Sequence, residues 1–108
     1  MSKTVWGLLY EKEGERPERI KVKNELLSFQ RLIGGYIETV SLPEWGGAVV
    51  VCDEEGKLKG LEAVRLLKRE DGRAFDFLAG RFFVCSHKGG EFADLTARQE
   101  RLVREYFE

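Results

Sequence analysis

Cysteine and histidine are scarce in this sequence, which has two cysteines and one histidine in 108 residues. A structural zinc site needs four ligands of these types, and a small disulfide-stapled domain is rich in cysteine. Cys52 and Cys85 each lie inside an apolar run, so we interpret both as buried reduced thiols, with a disulfide between them as the alternative. We therefore expect no structural metal and no cofactor.

Long apolar runs and an excess of one charge are also absent. No apolar run approaches the about 20 residues that a membrane-spanning helix needs. Lys12 and Glu13 interrupt the first apolar segment too early for a secretion signal. The 18 basic and 19 acidic residues are mixed along the chain, whereas a nucleic-acid binder usually has a clear basic excess. These features predict a cytoplasmic protein that binds neither membrane nor nucleic acid, and they also exclude an acidic DNA mimic.

The residues that are present are typical of one globular domain. Hydrophobic residues make up 43% of the chain and charged residues 34%, with no linker, repeat or low-complexity segment. A chain of this length can form one hydrophobic core without staples. We predict a single α+β domain over residues 1–108, with an antiparallel or mixed sheet of five to six strands packed by two main helices, one of them C-terminal.

The strands of this sheet are predicted from alternation and from β-branched or aromatic content. They are residues 4–10, 19–23, 36–42, 48–52 and 75–86. Gly80 lies inside the last segment and is a natural site for a bend that would divide it into two strands. We expect the hairpin formed by residues 36–42 and 48–52 to be the centre of the sheet.

The helices are predicted from apolar spacing and capping residues. Asn24 is a suitable N-cap for a first helix, which Gly34-Gly35 would end. Thr96 and Gln99 have the capping-box spacing and predict the start of a C-terminal helix. The spacing of apolar residues within 58–69 predicts a third, short helix. Loops are expected elsewhere, including residues 87–90.

Sequence motifs of common enzymes are missing. The chain has no phosphate-binding glycine loop, no G-x-S-x-G nucleophile motif and no H-E-x-x-H metal motif. His87 lies in a polar, glycine-containing segment, so we interpret it as a solvated loop residue. We predict no catalytic residue. A small hydrolase of nucleotide signals remains an alternative, and it would need carboxylates or His87 to converge in a pocket.

Aromatic and acidic residues after the first predicted helix are candidates for a ligand site. Gly34-Gly35 is explained by a helix cap, but Tyr36 could stack on a ligand and Glu38 could accept hydrogen bonds from one. Trp45 lies in a turn, where it either folds back onto the core or caps a binding surface. The core is the favoured interpretation of Trp45.

Basic residues provide further candidates. A planar guanidinium from Arg65 or Arg81 beside aromatic residues would suit a phosphate or a purine ring. The alternative is that both are solvated, because acidic residues dilute the charge around them. Arg98, Arg101 and Arg104 are interpreted as a solvated helix face.

Four motifs occur in an order that resembles a known family. They are G-G-Y-I-E after the first predicted helix, V-V-C-D-E-E-G-K-L-K-G-L in the middle, A-G-R-F-F-V-C, and E-F-A-D-L-T before the last helix. From about Val5 to the C-terminus the chain resembles a family of small domains of unknown function found in Firmicutes bacteria, their plasmids and their phages. The resemblance implies an accessory protein of mobile elements and supplies no catalytic residue.

That setting gives the first hypothesis of function. Small phage proteins of this size often counter host defence, and one way is to sequester a cyclic nucleotide or cyclic ADP-ribose immune signal without cleaving it. Such a protein needs aromatic stacking and guanidinium contacts to phosphate. Tyr36, Glu38, Trp45, Arg65 and Arg81 are the candidate ligand residues, and Tyr36, Trp45, Arg65 and Arg81 would have to lie close together.

The second hypothesis is a protein-binding inhibitor or regulatory module that docks on a host protein by a sheet edge or by the last helix. It predicts an exposed apolar patch and no enclosed pocket. Under either hypothesis we expect a homo-oligomer, because the strands beginning at Thr4 and Phe75 are apolar on both faces.

Overall fold

The computed structural model describes residues 3–108, which form eight strands, two α-helices and one 3₁₀ turn. The helices are α1 (Leu26–Ile33) and α2 (Ala97–Phe107), and the 3₁₀ turn is Pro43–Trp45. The strands are β1 (Thr4–Tyr10), β2 (Glu18–Lys23), β3 (Ile37–Val40), β4 (Ala48–Asp53), β5 (Ala63–Lys68), β6 (Ala74–Ala79), β7 (Phe82–Lys88) and β8 (Glu91–Ala93).

Six of these strands form one antiparallel sheet in the order β2-β1-β7-β4-β3, with the short β8 also pairing with β7. The remaining two, β5 and β6, form a separate antiparallel ribbon. The predicted α+β class, the number of strands in the main sheet and the C-terminal helix are confirmed. The separate ribbon was not predicted.

Both faces of the main sheet are covered, which gives the chain three layers. Helix α1 packs on one face, where Phe29 and Ile33 join Val51, Phe83 and Cys85 in a buried cluster. Helix α2, the 3₁₀ turn and the β5–β6 ribbon pack on the other face. The buried members of that second cluster are Leu8, Tyr10, Trp45, Ala48, Val50, Cys52, Val64, Leu67, Leu78, Phe82, Val84, Leu95 and Val103.

Strand β7 is the centre of the sheet, so the prediction that the β3–β4 hairpin is central was wrong. The first five residues of β7, Phe82–Ser86, are all buried, because this strand has neighbours on both edges and a layer on each face. Strand β3 has a neighbour only on the β4 side. The hairpin therefore provides an edge of the sheet.

The helix predicted within residues 58–69 was also wrong, because this segment contains strand β5. Val64 and Leu67 are both buried although they are three residues apart. The pairing with β6 shifts register between Ala63 and Arg65, so Val64 lies in a bulge. Because of the extra residue, two buried side chains of this strand are three residues apart and not two. A spacing of three between apolar residues is also typical of a helix.

The helix ends follow the predictions with one exception. Helix α1 has Glu25 rather than Asn24 as its N-cap, and no side chain caps it. Gly34 ends this helix with φ of 92°, a conformation that glycine adopts at little cost. The capping box of α2 is present, since the Thr96 hydroxyl accepts a hydrogen bond from the Gln99 backbone and the Gln99 side chain accepts one from the Thr96 backbone.

Strand β1 is apolar on both faces because layers of the same chain cover it. Leu8 and Tyr10 belong to the cluster under α2, whereas Val5 belongs to the cluster under α1. On β6, Phe75 and Phe77 remain 44% and 36% exposed. Homo-oligomerisation stays a prediction. Neither helix among residues 3–108 has the length and apolar character needed to span a bilayer.

Candidate functional site

The structure does not bring the five candidate ligand residues to one place. Glu38 lines one surface pocket and Arg65 lines another. Tyr36 is 64% exposed just before β3, and Arg81 lies between β6 and β7 with its guanidinium 3.8 Å from the Glu11 carboxylate. Of the pockets described below, none within residues 3–108 is lined by two of the five.

Trp45 is a core residue, as its favoured interpretation predicted. Its side chain is 0% exposed, and its ring packs against Tyr106 and Phe107 of α2 at centroid distances of 5.4 and 5.7 Å. Its Nε1 has no hydrogen-bond partner among the described residues. Trp45 therefore holds the 3₁₀ turn against α2 and presents no surface to a ligand.

Arg65 is used mainly for internal hydrogen bonds. Its guanidinium donates to the carbonyls of Val64 at 2.8 Å, Lys12 at 3.2 Å and Glu15. It also lies over the Tyr10 ring, 5.1 Å from the centroid. These contacts fasten the β1–β2 turn to the ribbon, and they occupy three of the five donors that a guanidinium offers to a phosphate.

A pocket of ≈ 620 Å³ lies beside Arg65. Arg16 and Lys68 add positive charge to its lining, but three carboxylates line it as well, those of Glu13, Glu15 and Glu108. The charges of the lining therefore cancel. This pocket does not offer a strongly cationic site for an anion.

Of the four pockets considered within residues 3–108, the most enclosed is a groove of ≈ 420 Å³ between β3 and β6, which we call the β3–β6 groove. It forms where the ribbon packs over the face of the main sheet beside β3 and β4 without pairing with either strand. Its lining residues are Glu38, Val40, Leu42, Cys52, Asp53, Glu54, Lys57, Leu58, Leu67, Phe75, Asp76, Phe77, Leu78 and Ala79.

The walls of the β3–β6 groove are apolar. Val40 and Leu42 contribute from the main sheet, and Phe75 and Phe77 contribute from the ribbon. Leu58, at the entrance from the β4–β5 connection, is 86% exposed. Leu58, Phe75 and Phe77 are all exposed around one concavity. Such a cluster differs from the scattered apolar residues of an ordinary surface. The groove is therefore an exposed apolar patch on the surface of the domain.

The rim of the β3–β6 groove is acidic. Four carboxylates line it, with Lys57 as the single basic residue in the lining. Asp53 pairs with Lys59 at 2.8 Å and Asp76 pairs with Lys57. Glu38 and Glu54 have no basic partner among the described residues. Their charges are available to a bound partner.

The two paired carboxylates are ionised at neutral pH. Burial alone would raise the pKa of Asp53, but the hydrogen bond and charge of Lys59, with the Glu55 backbone N–H, lower it overall. The hydrogen bond from Lys57 lowers the pKa of Asp76. The Cys52 thiol beside Glu38 is neutral, because burial above all, with the nearby carboxylates, raises its pKa to about 12.

Two shallower pockets lie on the opposite face of β3 and β4. Their volumes are ≈ 520 and ≈ 510 Å³, and both are lined by Ser41, Val49 and His87. His87 is exposed, but it lies in strand β7 and not in the predicted loop. Thr39 lines the first of these pockets and not the second. No group of three or more potential metal ligands is assembled within residues 3–108.

Sequence reasoning named Glu38 but missed the aromatic wall of the groove. Phe75 and Phe77 flank Asp76 in an alternating stretch, which signals a strand with one unusual apolar face. The assignment of residues 58–69 to a helix hid the partner strand of that stretch. Because the β5–β6 ribbon was not predicted, the sequence did not indicate which surface Phe75 and Phe77 would line.

The fold defines a small α+β domain in which an antiparallel sheet carries one helix on one face, and a helix and a ribbon on the other. The model of a family described as a domain of unknown function, DUF3846, matches residues 5–108, and the chain belongs to that family. This confirms the resemblance to a family of small domains of unknown function. No curated protein and no solved structure matches the chain.

Proposed function

We propose that this domain is a non-catalytic protein-binding module of the cytoplasm, and that the β3–β6 groove receives a segment of a partner protein. The observation that carries the proposal is the exposure of Phe75, Phe77 and Leu58 around an apolar concavity. Apolar area that a partner removes from water contributes about 25 cal/mol per Å² before the costs of association. Aromatic side chains that a partner buries near the centre of an interface are frequent anchors of such contacts.

The charge of the rim favours a basic protein segment over a nucleotide. Glu38 and Glu54 would repel the phosphates of a nucleotide, whereas a lysine or arginine on a peptide would form ion pairs with them. The apolar walls require apolar side chains in the same segment. The preferred partner is therefore a chain segment with aliphatic or aromatic residues flanked by basic ones.

The same charge disfavours a second copy of this chain in the groove. A second copy that docks through the same edge would bring its own Glu38 and Glu54 towards those of the first. Such like-charge contacts weaken association and act against the wrong partner. We therefore assign the groove to a different protein.

Sequestration of a nucleotide signal stays a prediction. Its remaining candidate site is the pocket beside Arg65, where Arg16 and Lys68 also line the wall. Native mass spectrometry with a panel of cyclic nucleotides and cyclic ADP-ribose signals tests it. A stoichiometric mass gain with intact release would support sequestration, and an altered released molecule would indicate a hydrolase.

Selection from a displayed library of random 12-residue peptides tests the protein-binding proposal. We expect enriched peptides to combine apolar anchors with lysine or arginine, and to lose binding to Phe77→Ser. Leu27→Ser is the matched control, because Leu27 is an exposed leucine on α1 outside the groove lining. The proposal is wrong if no peptide is enriched, or if the enriched peptides bind the Phe77→Ser variant as well as the wild type.

A charge-reversal variant adds an independent arm to this selection. Glu38→Lys together with Glu54→Lys should shift the enriched peptides from basic to acidic sequences. Glu105→Lys, an exposed position on α2, should leave the selected charge unchanged. Enrichment of basic peptides on both variants would show that the rim does not contact them.

A further inference from the structure

The outer edges of the two sheets differ in how they are protected. The edge of β2 carries four exposed charged residues, Glu18, Arg19, Lys21 and Lys23, a pattern that discourages pairing. At the end of β5, the Tyr106 hydroxyl of α2 bonds to both the N–H and the C=O of Lys68. In β6, the Asp76 carboxylate accepts a hydrogen bond from the Phe77 N–H at 2.8 Å.

The edge of β3 is open along its length. The Glu54 N–H donates to the Tyr36 carbonyl at 2.9 Å, which fixes Tyr36 and Glu54 as a hydrogen-bonded pair of the antiparallel ladder. Since such pairs alternate, the backbone groups of Ile37, Thr39 and Ser41 point away from β4. Within residues 3–108 no side chain or loop caps these outward groups.

The side chains of β3 line a different concave surface on each face of the sheet. On one face the side chains of Glu38, Val40 and Leu42 line the β3–β6 groove. On the other face Thr39 and Ser41 line the shallower pocket beside His87. A strand added to β3 would therefore send alternate side chains into the apolar groove with its acidic rim and into a shallower pocket of mixed polarity, because side chains alternate along a strand.

From this arrangement we propose that the partner segment binds as an additional β-strand on β3. The inference rests on the proposed function and specifies its binding mode. The backbone of the segment pairs with the outward groups of Ile37, Thr39 and Ser41, which supplies affinity independent of sequence. Its apolar and basic side chains occupy the β3–β6 groove, and the intervening side chains face the pocket lined by Thr39, Ser41 and His87.

A proline substitution tests the pairing without removing a groove side chain. Thr39→Pro deletes one outward N–H and leaves the ladder to β4, since proline is tolerated on the open side of an edge strand. Thr39→Val keeps the N–H and is the matched control. For a peptide selected as above, we expect Thr39→Pro to weaken binding about tenfold and Thr39→Val to change it less than about threefold.

Methylation of the peptide backbone provides a second test that uses the wild-type protein. Strand pairing predicts that N-methylation weakens binding at every second position of the bound segment and is tolerated between them. If Phe77→Ser abolishes binding while Thr39→Pro and N-methylation have no effect, the groove binds a partner but strand addition is wrong. If no peptide binds the wild type, both the proposed function and this inference are overturned.

Discussion

The hydroxyl of Tyr106 satisfies both backbone groups of Lys68, accepting a hydrogen bond from its N–H at 2.6 Å and donating one to its carbonyl at 2.8 Å. The contact joins α2 to the end of β5 and helps to hold the ribbon against the rest of the domain. Because the ribbon carries the aromatic wall of the β3–β6 groove, the position of that wall depends on this contact.

Tyr106→Phe should destabilise the domain by about 1–2 kcal/mol, because two hydrogen bonds are lost while the ring contact with Trp45 remains. Hydrogen exchange at Lys68 should accelerate as well. Urea denaturation measures the stability, and Tyr36→Phe on the exposed Tyr36 serves as the control with an expected change near zero. Equal effects of the two substitutions would contradict the anchoring role of Tyr106.

Glu100→Gln should remove a contribution to the stability that is present at neutral pH and lost in acid. Burial alone would raise the pKa of Glu100, but hydrogen bonds and charges from Arg19 and Arg104 lower it overall. A carboxylate whose folded-state pKa is lowered stabilises the fold above its unfolded pKa of about 4.3, and this contribution is lost as the pH falls through the folded value.

The free energy of unfolding of the wild type should therefore exceed that of Glu100→Gln by about 1–2 kcal/mol at pH 7, and this difference should shrink towards pH 3. Denaturation midpoints across this range measure it. Glu105→Gln, on the exposed side of the same helix, is the control and should show no such trend. A difference that stays constant from pH 7 to pH 3 would show that the loss is not caused by ionisation.

The sequence predicts α1, α2 and most strands of the main sheet, because their signals are local. The capping box at Thr96 and the positive φ at Gly34 follow from residue chemistry alone. The ribbon could not be predicted, because the bulge at Val64 is stabilised by packing on another layer. The order of strands in the sheet also depends on long-range pairing, which placed β7 and not the β3–β4 hairpin at the centre.

Both cysteines should be unreactive in the native protein. Cys52 and Cys85 belong to the clusters on opposite faces of the sheet, and burial raises the pKa of each thiol to about 12. At pH 8 a thiol-specific reagent should label them at least about a hundredfold more slowly than in urea. Tyr36→Cys should add one rapidly labelled thiol. Absence of free thiols in urea without reductant would instead indicate a disulfide.

Gly7→Ala should destabilise the domain by about 3 kcal/mol or more, because an added Cβ would lie 2.0 Å from the Val84 carbonyl oxygen and 2.8 Å from the Phe83 ring. At Gly7, strand β1 lies too close to its antiparallel neighbour β7 to leave room for a side chain. Gly14→Ala is the control: it meets no atom within 4 Å, but its φ of 78° should cost about 1 kcal/mol. Thermal unfolding measures the stability of both variants. Equal losses of stability in Gly7→Ala and Gly14→Ala would contradict the close approach of β1 and β7.

The candidate site could be predicted only in part. Glu38 was named from its place after the first helix, and it does line the groove. Trp45 and Arg65 have the side chains of ligand residues, but packing and backbone carbonyls use them internally. Residue type shows what a side chain can bind, whereas tertiary structure determines whether that capacity is still available.

The most direct test of the docking account is hydrogen exchange at the Thr39 amide, measured by NMR for the protein alone and with a peptide selected from the library. Strand addition predicts that this amide exchanges rapidly in the free protein and becomes protected by about tenfold or more on binding, together with shifts at Phe75 and Phe77. An unprotected Thr39 amide in a saturated complex would contradict strand addition on β3. Shifts confined to residues outside the β3–β6 groove would contradict the proposed site as well.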